Sequence, residues 1–133
     1  MSKYKLAGLV FVFLWFFGGG VGHFVVTDFF VGIVPPYIPW PLAAVYVSGV
    51  FELLGACGLI PRATRPWAGV GLLLLIVCVS PANIYMWQHP ELFPKFPPAL
   101  LGVRLVIQVL LIAVVWWSTR VPVGPAPLAA RRA

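Results

Sequence analysis

The sequence predicts an all-α membrane protein, a four-transmembrane-helix bundle with both termini in the cytoplasm, on three observations. Of the 133 residues, 62% are hydrophobic and only 9% are charged, and so few polar side chains cannot cover a water-soluble surface. Apolar runs recur four times, each close to the roughly 20 residues with which a helix crosses a hydrocarbon core. Most Lys and Arg residues gather at one end of those runs.

The four spans are predicted at about 6–26, 42–60, 67–86 and 99–118, followed by a short cytoplasmic tail at 119–133. Only loops remain, so residues 1–133 are expected to form a single membrane domain whose core is helix against helix. The first run follows Lys3 and Lys5 as a signal peptide would. However, Gly18-Gly19-Gly20 and His23 come after it instead of a small-residue cleavage site, which favours an uncleaved span.

The orientation follows from the basic residues. Seven of them lie at the ends of spans that face the same side, whereas the opposite side carries only Asp28, Glu91 and Lys95, a net charge of −1. The positive-inside rule therefore places the basic side in the cytoplasm. The formal net charge of +6 reflects this topology. Because no basic stripe with interleaved aromatics is present, we expect no nucleic acid as a partner. The seven basic residues are Lys3, Lys5, Arg62, Arg65, Arg120, Arg131 and Arg132.

The connections on the two sides differ in character. Residues 61–66 form a short polar turn, whereas 27–41 and 87–98 are Pro-rich, aromatic and apolar, as expected for segments at the outer interface. Residues 28–34 are interpreted either as an interfacial anchor or as a short re-entrant or amphipathic piece that covers a cavity.

Small residues indicate which helices approach closely. Gly18 and Gly22 form a G-x-x-x-G pair in the first span, with Gly19 and His23 on a neighbouring ridge, and Ser48, Glu52 and Ala56 share a face of the second. This pattern predicts close packing of the first and second spans.

Two charges lie inside the spans, Glu52 and Arg104, and an ionisable group within a membrane is by default a functional-site hypothesis. Ser48 and Glu52 are four residues apart, as are Arg104 and Gln108, so each pair shares a helix face. At about 1.5 Å per residue, these four side chains lie in the outer half of the bilayer.

His23 and Asn83 lie about 5 Å inside the same outer boundary. The sequence therefore predicts one polar ligand-binding pocket to which all four spans contribute. The alternative is that Glu52 and Arg104 form an ion pair that only joins helices, since an Arg side chain is long enough to reach the carboxylate. The predicted pocket residues are Glu52, Arg104, His23, Asn83, Ser48 and Gln108.

The sequence gives no indication of a disulfide, a metal site or a catalytic centre. The depths of Cys57 and Cys78 differ by more than about 10 Å, which is too far for a disulfide. The two His and two Cys residues lack metal-ligand spacing, and no nucleotide-binding loop, activated Ser or carboxylate pair is present. We therefore expect no metal site and no catalytic residue.

Four stretches carry a resemblance to a known family. They are Gly22-His-Phe, Val34-Pro-Pro-Tyr-Ile-Pro-Trp-Pro, Ser48-Gly-Val-Phe-Glu-Leu-Leu-Gly-Ala-Cys-Gly-Leu-Ile-Pro and Pro81-Ala-Asn-Ile-Tyr-Met. Together they resemble the DoxX-like family of small four-span membrane proteins. The resemblance implies a compact four-helix bundle and a link to quinone-dependent sulfur oxidation, in which founding members are small subunits of a thiosulfate:quinone oxidoreductase. By this resemblance Glu52 matches the second-span Glu of the family, and His23 and Asn83 lie within its motifs.

Three function classes remain open. The first is a redox-associated accessory or quinone-interacting subunit, not an enzyme on its own, with quinone as its candidate cofactor and a membrane or soluble redox protein as its partner. The second is a binder or carrier of a small amphiphilic metabolite. The third is a non-catalytic assembly subunit of a larger membrane complex or a homo-oligomer. In each case we expect a multi-pass protein in the lipid bilayer of the bacterial inner membrane.

Overall fold

A computed structural model describes residues 2–120, and all regular structure in this part of the chain is helical. Four helices are long and apolar enough to cross a membrane, and they match the predicted spans to within three residues at each end. The all-helical architecture and the four long apolar helices are thus confirmed, whereas most of the predicted tail lies outside the described residues. The helices are α1 (Lys3–Val25), α2 (Thr27–Ile33), α3 (Pro41–Gly58), α4 (Arg65–Gln88) and α5 (Pro98–Thr119), with a 3-10 turn at Pro90–Leu92.

The helix starts follow from local sequence. Three of the long helices have proline at their first or second position, namely Pro41, Pro66 and Pro98. Proline suits this position because its missing N–H is one that the helix would leave unsatisfied. In α1, the Ser2 side chain accepts a hydrogen bond from the backbone N–H of Lys5 at 3.2 Å, which satisfies one of the free donors of the first turn.

The four long helices form an antiparallel ring in the order α1, α3, α4, α5, in which each helix packs against its two neighbours. At one end, Lys5 donates from Nζ to the carbonyl of Arg120, and Arg120 donates to the carbonyl of Pro66 at 2.7 Å. We call this the terminal end, because it holds the first and last described residues, and the opposite one the α2 end. The ring places α1 diagonally opposite α4, and α3 opposite α5.

The packed core lies toward the terminal end. A second, smaller cluster at the α2 end consists of Ile33, Met86 and Leu101. The space between the two clusters is not filled by side chains, and it positions the site described below. The main core is formed by Leu9, Val12, Phe16, Ala56, Leu59, Leu72, Leu75, Ile76, Leu111 and Val115.

Close packing of α1 and α3 is confirmed, but the contact is made by the neighbouring ridge of Gly19 and His23, where a Cβ at Gly19 would lie 3.2 Å from Glu52 Oε2, and not by the Gly18–Gly22 pair. A Cβ added at Gly18 would meet nothing within 4 Å, and one at Gly22 would meet Phe30 of α2. The close approach involves Gly20, where a Cβ would lie 2.8 Å from Leu53, and Gly49, where it would lie 2.7 Å from the Cβ of His23. The G-x-x-x-G pattern thus falls on a different face of α1 from the one that packs on α3.

Candidate ligand-binding cavity

A cavity of about 790 Å³ lies inside the bundle, and all five helices contribute to its wall. Phe16 and Ile76 of the main core line it on one side, and Ile33 of the smaller cluster lines it on the other. The cavity is mainly apolar. All six polar residues that the sequence predicted to converge line it: His23, Ser48, Glu52, Asn83, Arg104 and Gln108.

The α2 helix forms part of the wall nearest its own end of the bundle. Phe29, Phe30 and Ile33 line the cavity, and the extended segment after α2 adds Val34 and Pro35. Asp28, in the first turn, is exposed. Of the two interpretations of residues 28–34, the short piece that covers a cavity is the one that the structure supports.

The first polar cluster joins the end of α1 to α3. His23 is buried, with 6% of its surface exposed, and its Nδ1 lies 2.8 Å from the carbonyl oxygen of Val45 and 3.1 Å from Ser48 Oγ. Its Nε2 lies 3.4 Å from Glu52 Oε2. The Phe30 ring covers the imidazole at a centroid distance of 4.1 Å. His23 is thus held on both ring nitrogens and on one face.

These contacts determine the imidazole tautomer. A backbone carbonyl can only accept, so Nδ1 at 2.8 Å from the Val45 oxygen carries a proton. The Ser48 hydroxyl donates to the same carbonyl at 3.0 Å. Because an unprotonated Nε2 facing an ionised carboxylate would bring two lone pairs together, a proton lies between His23 Nε2 and Glu52 Oε2, which are 3.4 Å apart.

The second polar cluster joins α4 to α5. Arg104 donates from Nη2 to Asn83 Oδ1 at 3.2 Å, and Asn83 donates from Nδ2 to Gln108 Oε1 at 2.7 Å. Gln108 donates to Ser80, whose hydroxyl donates to the carbonyl of Ile76 at 2.7 Å. In this series of hydrogen bonds, each residue donates to the next one farther from the Arg104 guanidinium. The series therefore holds Arg104 through one N–H, and the other N–H donors of this side chain take no part in it.

Glu52 and Arg104 do not pair directly. Among residues 2–120, the ion pairs within 4.0 Å are His23 with Glu52 and His89 with Glu91. The reason is the order of the helices: Glu52 on α3 and Arg104 on α5 lie on diagonally opposite helices, and each contacts a partner on an adjacent helix instead. The direct ion pair that the sequence left open as an alternative is therefore not formed among the described residues, although the two side chains line the same cavity.

The wall between α3 and α4 is open toward the α2 end. At the terminal end these helices are close, and a Cβ at Gly58 would lie 3.0 Å from the Cβ of Ala68. Farther along, Val47 and Phe51 line the cavity while 54% and 57% of their surfaces are exposed. Cys78, opposite them on α4, also lines the cavity and is exposed. These exposures indicate a side opening between α3 and α4 to the outside of the bundle.

Sequence reasoning missed three contributors to the site. Ser80 lies three residues before Asn83, so their i, i+3 spacing was the available signal. The Val45 carbonyl gave no signal because it is backbone. Phe30 lies in the segment 28–34 that the sequence offered as a cover for a cavity, but its contact with His23 depends on the fold.

Among the described residues, the cysteines and the other metal-ligating side chains form no additional site. Cys57 and Cys78 are both free and exposed. Within the described part of the chain, no group of three His, Cys, Asp or Glu side chains is placed to hold a metal ion.

Comparison with known proteins gives one match. A family described as a domain of unknown function, DUF8561, matches residues 12–119, which include all six predicted pocket residues. No curated protein matches the chain, and no solved structure matches it.

Proposed function

Because the chain belongs to the DUF8561 family, whose description assigns no activity, we propose its function from its own cavity: it binds one small lipid-soluble molecule with a polar headgroup. In the fuller form of this proposal, it is a redox-associated accessory or quinone-interacting subunit. Neither form makes the protein an enzyme on its own.

One observation carries the proposal: polar residues from α1, α3, α4 and α5 converge on a single cavity that is otherwise apolar. Small-molecule sites have this composition, and their volumes run from roughly 300 to 1,000 Å³. Polar groups inside a membrane bundle are costly unless they are satisfied or used. Glu52 is only partly satisfied, since its buried Oε2 makes no hydrogen bond within the geometric limits and has His23 Nε2, at 3.4 Å, as its ion-pair partner.

A quinone is the first ligand class to test. Its ring and tail are apolar, and its carbonyl oxygens accept hydrogen bonds of the kind that the free N–H groups of Arg104 donate. The resemblance to DoxX-like proteins supports the redox association and a partner protein that reduces or oxidises the quinone. It also supports placement in a bacterial inner membrane, and the basic residues at the terminal end support a cytoplasmic position for that end.

A second candidate is a carrier of a small amphiphilic metabolite. The side opening at Val47, Phe51 and Cys78 favours it, because a molecule dissolved in the bilayer reaches the cavity through such an opening without crossing water. Both candidates use the same cavity.

Native mass spectrometry with lipid extraction tests the proposal, on protein purified gently from its own membrane. The comparison is between wild type, Glu52→Gln and the control Glu91→Gln, which removes an exposed carboxylate outside the cavity. We expect a small molecule to co-purify with wild type and Glu91→Gln and to be lost from Glu52→Gln. Bulk lipid alone in all three samples would contradict ligand binding, and a stoichiometric partner protein in its place would indicate an assembly subunit.

A further inference from the structure

The charges that line the cavity do not cancel. Among the described residues, its ionisable lining consists of His23 from α1, Glu52 from α3 and Arg104 from α5, together with the thiol of Cys78 from α4, while α2 contributes only apolar side chains. Asp28 of α2 is exposed and does not line the cavity. The question is which of these charges have a counter-ion.

His23 and Glu52 neutralise each other. The Val45 carbonyl holds a proton on Nδ1, and one further proton lies between Nε2 and Glu52 Oε2, which are 3.4 Å apart. Whether that proton is on the imidazole or on the carboxyl group, the two side chains together carry no net charge. The pair therefore leaves Glu52 unable to compensate another cation in the cavity.

The positive charge of Arg104 is therefore the one charge in the cavity lining that has no counter-ion among the described residues. A guanidinium stays protonated and has five N–H donors, and the protein accepts one of them, through Asn83 Oδ1. No other hydrogen bond and no ion pair engages this side chain among residues 2–120. None of its nitrogens is both buried and unsatisfied, so the free donors keep accessible surface, and the side chain lines the cavity.

We infer that the cavity selects a single-chain amphiphile with an oxyanion headgroup, which binds Arg104 while its hydrocarbon chain lies along the apolar lining and leaves through the side opening. This inference rests on the proposed function and narrows its ligand class. A planar guanidinium binds carboxylate and phosphate oxygens through two parallel N–H donors. An anion at this position also removes the cost of an uncompensated cation at membrane depth.

Photolabelling in nanodiscs of zwitterionic lipid tests the inference. The probe is a diazirine-bearing hexadecanoic acid at mildly alkaline pH, and intact mass and peptide mapping give the extent and the position of labelling. The competitors are hexadecanoate, hexadecyl phosphate, hexadecanol and decylubiquinone. The variants are Arg104→Met, Arg104→Lys and the control Arg62→Gln, which removes a positive charge from an exposed turn.

We expect labelling on cavity-lining peptides, with the two anionic competitors effective at concentrations at least about tenfold below that of the chain-matched alcohol. Of the two anions, the stronger competitor identifies the headgroup. In Arg104→Met the preference for anions should disappear, in Arg104→Lys it should be partly retained, and in Arg62→Gln it should be unchanged.

Equal competition by hexadecanol and hexadecanoate would overturn the inference, and this comparison uses the wild type, so it stands even if Arg104→Met does not fold. Displacement by decylubiquinone, with no effect of either anion, would also overturn it but leave the proposed function in place. If neither the acid probe nor decylubiquinone binds in the cavity, both the inference and the proposed function fail.

Discussion

Replacing Gly49 with alanine should separate α1 from α3 and disturb the cavity. The new Cβ would lie 2.7 Å from the Cβ of His23 and 3.0 Å from Cε2 of Phe24. Carbon atoms in contact are normally about 3.5 to 4.0 Å apart, so the two helices must move apart by roughly 1 Å. The His23 Cβ is attached to the α1 backbone, and no rotation of the side chain relieves the clash.

The expected cost is about 1 to 3 kcal/mol, the usual range for overpacking a well-packed core. Because His23 is the residue displaced, its hydrogen bond to the Val45 carbonyl and its contact with Glu52 should be lost as well. The matched control is Gly18→Ala on α1, where a Cβ meets nothing within 4 Å. That variant should be neutral or should stabilise α1 by up to about 1 kcal/mol, since alanine favours a helix over glycine.

Reversible unfolding by steric trapping in bicelles measures both variants against wild type, and native mass spectrometry reports ligand retention in the same preparations. Equal stability of Gly49→Ala and Gly18→Ala would refute the close approach at Gly49. A large loss in Gly18→Ala alone would show that the G-x-x-x-G face predicted from the sequence packs on α3 after all.

Three further predictions concern the polar clusters. Glu52→Gln and Arg104→Met should have additive effects on the free energy of unfolding, because the two side chains form no ion pair. The coupling energy in a double-mutant cycle should then be below about 0.5 kcal/mol. Strong coupling would indicate that Glu52 and Arg104 pair directly after all. The cycle of Glu52→Gln with His23→Ala should instead give a coupling of about 0.5 to 3 kcal/mol, because these residues are in contact, and additive effects would contradict the shared proton. Asn83→Ala should cost about 1 to 3 kcal/mol in thermal or steric-trap unfolding, since it removes the acceptor of Arg104 and a donor of the network; a loss no larger than that of the exposed control Gln88→Ala would contradict this.

The convergence of the pocket residues was predictable because depth in a membrane can be counted along a helix. His23, Ser48 and Glu52 fall in the same half of the bilayer as Asn83, Arg104 and Gln108, and side chains four residues apart share a face. In a bundle of four spans, polar groups at one depth are expected to face the interior, because facing lipid would be costly. All six consequently line one cavity.

Their partners were not predictable from the same counting. Depth does not specify which helices are adjacent, so Glu52 and Arg104 looked like natural counter-ions. The ring order places α3 and α5 diagonally opposite each other, so Glu52 contacts His23 and Arg104 donates to Asn83. The prediction that the Gly18–Gly22 face packs on α3 was wrong for the same reason, since Gly18 and Gly49 differ only in what the neighbouring helix places opposite them.

The sequence by itself determined the all-helical architecture, the four long apolar helices and the half of the bundle in which the polar residues lie. These properties follow from hydrophobicity and from the fixed rise of a helix, which act on each segment separately. Only the tertiary structure decided the pairing of the charges, the glycine contacts, the position of α2 over the cavity and the excess cation at Arg104. Those features depend on helix order and rotation, which are set by packing between segments distant in the chain.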